Sequence, residues 1–188
     1  MKFIYCQFKI LLVIALLSLS LGLKAEELKN LENEHEFNFF SGMFDFSDDG
    51  KKSTIFGLQH QNENLLRSSF LGTLSPVTGA MITGDNASYL YTGIQAQYTI
   101  GKIDITPSFT PGLYNKGGGK DLGHIVQFKS EVQVSLDLFK NSQLGMSYNH
   151  ISNASLGDKN PGANRYMFNF LQKRSEERRV GKECRSRW

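Results

Sequence analysis

Residues 149–157 read NHISNASLG, which places an imidazole and a hydroxyl two positions apart at His150 and Ser152. On a strand, alternate side chains point to the same face. The two groups would then stand side by side, with their Cα atoms about 7 Å apart. A serine hydroxyl is a weak nucleophile until a neighbouring base removes its proton, and histidine is the usual base. The chemistry open to such a pair is acyl transfer, with water or a second alcohol as the acceptor. His-x-Ser also arises by chance in many proteins, so its meaning depends on the element that carries it.

That element is a strand with an apolar face. In QLGMSYNHISNAS, Leu144, Met146, Tyr148, His150 and Ser152 share one parity, and Gly145, Ser147, Asn149, Ile151 and Asn153 share the other. The preceding segment, HIVQFKSEVQVSLDLF, alternates more strongly still. Val126, Phe128, Val132, Val134, Leu136 and Leu138 lie on one face, opposite Gln127, Lys129, Glu131, Gln133, Ser135 and Asp137. This run is long for a soluble strand, where about 5–6 residues is typical. A strand that crosses a bilayer needs about 9–11.

Comparable segments recur near 34–44, 53–61, 65–74, 87–100, 102–113, 124–139, 143–154 and 164–173. Long Gly-, Asp- and Asn-rich connections (FSDDGKKS, SPVTGAMITGDN, YNKGGGKD, SLGDKNPGA) alternate with short ones (QNEN, Gly101, KNSQ). Short turns on one side and long loops on the other describe an outer-membrane barrel. The predicted fold is therefore all-β: an eight-stranded antiparallel up-and-down transmembrane barrel with both ends on the periplasmic side. Tyr89, Tyr91, Tyr98, Tyr114, Tyr148 and Tyr166 fall near strand ends or loops, where interfacial girdles are built. Pro107 and Pro111 each remove a ladder hydrogen bond, which predicts a bulge or local break in their strand.

The two ends of the chain are set apart from the barrel. Lys2 and Lys9, the apolar block ILLVIALLSLSLG and the LKAEE that follows predict a signal peptide over residues 1–25. From Arg174 the chain reads RSEERRVGKECRSRW without periodicity, which is expected of a non-native, adapter-derived tail over 174–188. That leaves 26–173 as the barrel. Removing the tail's six basic and three acidic residues from totals of 21 and 18 leaves 15 of each. The basic balance therefore implies no nucleic-acid partner. Cys6 lies in the signal peptide and Cys184 in the tail, so the barrel has no thiol for a disulfide or a cysteine metal site. His35, His60 and His124 have no metal spacing and are expected to be lumen or rim residues. NKGGGK lacks phosphate-loop spacing. Lys51, Lys116 and Lys120 fall in predicted outer loops as solvated charges. No cofactor and no metal is expected.

HISNASLGDKNPGAN, residues 150–164, resembles the active-site region of the outer-membrane lipid A 3-O-deacylases, the PagL-type acyloxyacyl hydrolases. The signal peptide, eight-strand layout and aromatic final strand extend the likeness loosely over the mature chain. The resemblance implies a multi-pass outer-membrane serine esterase that removes an ester-linked acyl chain from lipid A, with lipopolysaccharide of the outer leaflet as its partner. It implies Ser152 as nucleophile, His150 as general base and Asn153 as an oxyanion donor, although strand parity points Asn153 inward. The family's third member is a glutamate, and the matching position here is Asn164. An amide can orient the imidazole but does not supply a carboxylate's charge. Two other functions fit the same residues: a passive envelope barrel with a vestigial site, and an acyltransferase. The sequence leaves open whether the chain acts alone or as a homodimer.

Overall fold

The computed structural model describes residues 33–47, 52–62, 67–69, 72–139 and 141–176. These form a single antiparallel sheet of β1 (Asn33–Phe44), β2 (Ser53–Asn62), β3 (Arg67–Ser69), β4 (Gly72–Thr83), β5 (Ser88–Ile100), β6 (Ile103–Asn115), β7 (Val126–Phe139), β8 (Ser142–Ser152) and β9 (Ala163–Glu176). The sheet runs β2-β1-β9-β8-β7-β6-β5-β4-β3, and a further pairing of β2 with β4 closes it on itself. The short β3 only folds back onto the start of β4 through Arg67↔Leu74. The result is a closed barrel of eight staves. Closure leaves no edge of unpaired backbone groups facing lipid.

Side chains sort by parity as the long alternating runs require. Along β7, Gln127, Lys129, Glu131, Gln133 and Ser135 are buried inside the barrel, while Val132, Val134, Leu136 and Leu138 are exposed on the outer wall. The interior is a polar network. Asn38 donates to Gln133 (2.9 Å) and to Asn169 (3.1 Å), and Asn149 donates to Glu131 (2.7 Å). Toward the loop end the interior becomes apolar: Phe44, Ile55, Tyr89, Tyr114, Leu122, Ile151 and Met167 pack together as a plug.

The structure corrects two expectations. The segment predicted at 65–74 is not the third stave; that stave is β4, within the stretch SPVTGAMITGDN assigned to a long loop. Its apolar members Val77 and Met81 point inward and Thr78 and Ala80 point outward, which hid the alternation. The outer connection is correspondingly a tight turn, closed by Thr83 N–H to Ala87 O at 2.8 Å. The tyrosines also divide. Tyr98, Tyr148 and Tyr166 are exposed as a girdle requires, but Tyr89, Tyr91 and Tyr114 are buried inside. The inner three donate their hydroxyls to Thr110 O, Gln59 Oε1 and Lys120 O. The prolines bring the expected local break in β6, without a bulge. Pairing to β5 lapses between Tyr91↔Gly112 and Ile94↔Phe109, and again between Gln95↔Ser108 and Tyr98↔Ile105, without a change of register. Pairing to β7 is continuous past both prolines.

β9 runs to Glu176, three residues past the predicted end of the barrel, and pairs there with Asn33. The predicted signal peptide and the rest of the predicted tail lie outside the described residues.

The sorting of faces predicts an asymmetric response to charge. Val134→Arg on the outer wall should lower folding stability in vesicles by about 2–4 kcal/mol, and Val134→Leu should be nearly neutral. Urea titration of the protein in lipid vesicles measures both.

Candidate active site

The last outward positions of β8 hold the residues that the sequence singles out. Leu144, Met146, Tyr148 and His150 are all exposed on the outer wall, and Ser152 follows them half-buried. His150 faces Asn164 across the β8–β9 ladder and Ser130 across the β7–β8 ladder. Ser152 faces Phe128. The predicted His150, Ser152 and Asn164 therefore meet on one patch of the wall, at the rim where long loops begin.

His150 Nδ1 lies 2.8 Å from Asn164 Oδ1. With an amide oxygen as its partner, Nδ1 carries the proton and Nε2 is left as the acceptor. Ser152 sits one step further along the same face, and no hydrogen bond engages its hydroxyl among the described residues. A nucleophile and its base are commonly loose in the absence of substrate and tighten when it binds.

Asn153 lies inward, as strand parity predicts. It is fully buried, and its Nδ2 donates to Leu122 O (2.9 Å) and Lys159 O (2.7 Å). Its Oδ1 accepts from Ser155 N–H at 2.9 Å, and its own N–H donates to Asn160 Oδ1 at 3.0 Å. Every donor of Asn153 is engaged, which leaves none for an oxyanion. The residue instead pins the turn after β8, where Ala154 and Ser155 adopt φ of 50° and 65°. The Ala154 N–H takes no part in these bonds.

Several residues of the patch carried no signal in the sequence. Tyr148 donates its hydroxyl to Asn164 Oδ1 at 3.0 Å, and Asn164 Nδ2 donates to Ser47 Oγ at 3.2 Å. Phe46 N–H donates to Asn164 O at 3.3 Å. The Phe46 ring lies 4.3 Å from that of Tyr166 and 6.4 Å from that of Tyr148. Gly162 borders the imidazole: a Cβ there would stand 2.8 Å from His150 Cε1, and its φ is +61°. The Pro161–Gly162 pair marked only a turn in the sequence.

Two further loops brace the patch. Asp45, buried at the end of β1, pairs with Lys120. Asp121 pairs with Lys159 at 3.0 Å and with Lys116 at 3.8 Å. Lys116 and Lys120 are thus ion-paired rather than free, and Lys51 lies outside the described residues. The Gly123 N–H and the Lys159 ammonium hold the Asp121 carboxyl below its ordinary value. Of the other histidines, His35 and His60 stack where β1 begins and β2 ends, with Nδ1 and Nε2 3.1 Å apart. His124 Nδ1 accepts from Val126 N–H at 3.0 Å. Below the site on the outer wall, Ile103, Val134, Leu136, Leu144, Met146 and Phe168 line an apolar groove of about 520 Å³.

A closed barrel with a polar lumen and an apolar wall defines an integral outer-membrane protein. The family model for lipid A 3-O-deacylase (PagL) matches residues 53–171, and the chain belongs to that family. It is a bacterial outer-membrane protein. The crystal structure of the outer membrane enzyme PagL superposes with a TM-score of 0.56 at 16% identity, covering 73% of this chain and 98% of that one. A barrel from the de novo design of transmembrane β-barrels superposes at 0.51 with 9% identity, covering 78% of this chain and all of the other. At these identities the likeness is one of fold. No curated protein matches the chain.

Two outcomes follow from this geometry. Gly162→Ala should displace the imidazole, read as a change in the His150 ring signals by NMR, while leaving the barrel folded by circular dichroism. The Asp121 carboxyl is held down in the folded state, so its contribution is present above the ordinary value of 3.8 and is lost as pH falls through the lower folded value. Limited proteolysis at decreasing pH should then cut the 116–125 loop in that window, and Asp121→Asn should allow cutting at neutral pH.

Proposed function

We propose that the protein is a serine esterase of the outer leaflet that hydrolyses an ester-linked acyl chain of lipid A. The observation that carries this is the His150 Nδ1–Asn164 Oδ1 hydrogen bond of 2.8 Å on the lipid-facing wall. It fixes the imidazole with Nε2 as acceptor beside the next outward residue, Ser152. A site on this wall is reached from the bilayer, so its substrate is a lipid whose ester lies at the level of the rim.

In the proposed reaction Ser152 Oγ attacks the ester carbonyl while His150 Nε2 takes the hydroxyl proton. The tetrahedral oxyanion forms beside the turn that Asn153 pins, where the Ala154 N–H is the donor left over. The intermediate collapses, His150 returns the proton to the departing sugar oxygen, and the acyl chain remains on Ser152. Water, deprotonated by His150, then releases the fatty acid and restores the serine. The acyl chain lies along the wall below the site, over Leu144 and Met146. The strand rises six residue steps from Leu144 to His150, about 20 Å of wall. Asn164 orients the ring without the charge of a carboxylate, which makes the imidazolium less stable and the enzyme slower than one with a glutamate there.

Lipid A from cells expressing the full-length protein should lose one acyl chain by mass spectrometry, and Ser152→Ala should abolish the loss. Asn164→Glu should raise the rate by 10-fold or more, and Asn164→Ala should lower it by a similar factor. Gain of an acyl chain would establish a transferase. Unchanged lipid A in wild type and Asn164→Glu alike would leave a passive barrel.

A further inference from the structure

An amide differs from a carboxylate in having two unlike ends. If the Asn164 side chain were turned over, Nδ2 would face His150 Nδ1, the ring would carry its proton on Nε2, and Ser152 would have no base. In a serine–histidine–carboxylate triad, exchange of the carboxylate for an amide costs about 10⁴ in kcat by this wrong-tautomer effect. A working site with Asn164 therefore needs a second set of contacts to choose which end faces the ring.

We propose that Tyr148 and Ser47 are positioning residues that set the orientation of the Asn164 amide and thereby the tautomer of His150. This rests on the esterase function proposed above. The Tyr148 hydroxyl reaches Asn164 Oδ1 at 3.0 Å, on the same oxygen that accepts from His150. Ser47 Oγ stands 3.2 Å from Asn164 Nδ2, at the other end of the amide. Both hydroxyls can donate and accept, but they are not equal. A phenol is the more acidic and the better donor, because its lone pair is delocalised into the ring. An aliphatic hydroxyl is the better acceptor. The observed arrangement, phenol to carbonyl oxygen and amide N–H to serine oxygen, uses each in its stronger role. The turned-over amide would use each in its weaker one.

The contacts that hold Ser47 are themselves anchored. Its neighbour Phe46 bonds to the Asn164 carbonyl and packs on Tyr166, and Asp45 is buried with its carboxylate on Lys120. Asp45 also adopts φ of 50°, which turns the chain from β1 toward the β9 side of the site. The loop after β1 thus delivers one hydroxyl to the far end of the amide, and β8 delivers the other to the near end.

A double-mutant comparison separates this role from simple packing. A glutamate has two equivalent oxygens and cannot present a donor to the ring, so in Asn164→Glu the two hydroxyls should lose their function. With Asn164 present, Tyr148→Phe should lower kcat at least 10-fold and Ser47→Ala by 3-fold or more, each with KM within 2-fold. In the Asn164→Glu background the same substitutions should change kcat by less than 3-fold. Equal losses in both backgrounds would overturn the proposal. An independent readout is ¹⁵N NMR of histidine-labelled protein in detergent. Wild-type His150 should be protonated on Nδ1, and Tyr148→Phe should move the population toward the Nε2-protonated form; an unchanged population would also overturn it. Because the spectrum needs no turnover, it tests the amide orientation even where neither wild type nor Asn164→Glu releases an acyl chain, which is the failure of the esterase function itself. Ser47→Ala, on a loop outside the staves, gives the same test without touching the barrel wall.

Discussion

Hydrocarbon offers the backbone no hydrogen-bond partners, and each unsatisfied group there costs several kcal/mol. The closed ring of pairings, with β1 joined to β9 and β2 joined to β4, answers that constraint, and nearly everything else in the molecule follows from it. Closure makes an inside and an outside, and the period-two backbone then distributes residues between them. Polar side chains with partners go in and apolar ones go out. The two prolines of β6 are tolerated because one ladder of that strand stays continuous while the other lapses only locally. A site for lipid chemistry must lie on the outside, where polar residues are expensive. The site proposed here lies at the last outward positions of β8, where the wall gives way to loops and headgroups.

The patch is rigid because it rests on two staves and is braced from above by three loops. Asn153 ties the β8–β9 loop to the β6–β7 loop through Leu122 O, and Asp45 ties the β1–β2 loop to the same place through Lys120. An amide at position 164 works with geometry where a carboxylate works with charge. That exchange raises the demand on every contact that orients the amide, and this accounts for the density of hydrogen bonds and rings around a single asparagine.

Much of this was legible in the sequence, and what was not has physical reasons. The eight-stave barrel and the outward parity of His150 and Ser152 followed from alternation alone, since lipid on one side and a polar lumen on the other impose strong contrast. β4 was missed because its inward side chains are small or apolar and its outward ones include Thr78 and Ala80, so contrast vanishes. Tyr89, Tyr91 and Tyr114 looked like girdle residues because composition does not say which face a tyrosine occupies. Their hydroxyls find backbone and side-chain acceptors inside. Asn164 was found by counting along the family pattern. Ser47 lies 117 residues away in the chain, and only closure of β1 against β9 brings it to the site. Asn153 matched the family's motif, but its partners Leu122, Lys159 and Asn160 belong to loop packing that no local pattern records.

The buried cations of the lumen bear on how such a chain enters a membrane. Arg165 and Lys129 are fully enclosed, Lys129 beside Glu131 and above the Tyr91 ring, and Arg165 over Phe44. Their staves are separated by β8, and Arg165 meets β1 residues only across the β1–β9 seam. A half-formed sheet lying flat in lipid would turn both charges toward hydrocarbon, at a cost that rises with depth from about 0–1 kcal/mol near the interface. Insertion ahead of closure is thereby penalised, and joining the first stave to the last becomes the step that commits the chain to the bilayer.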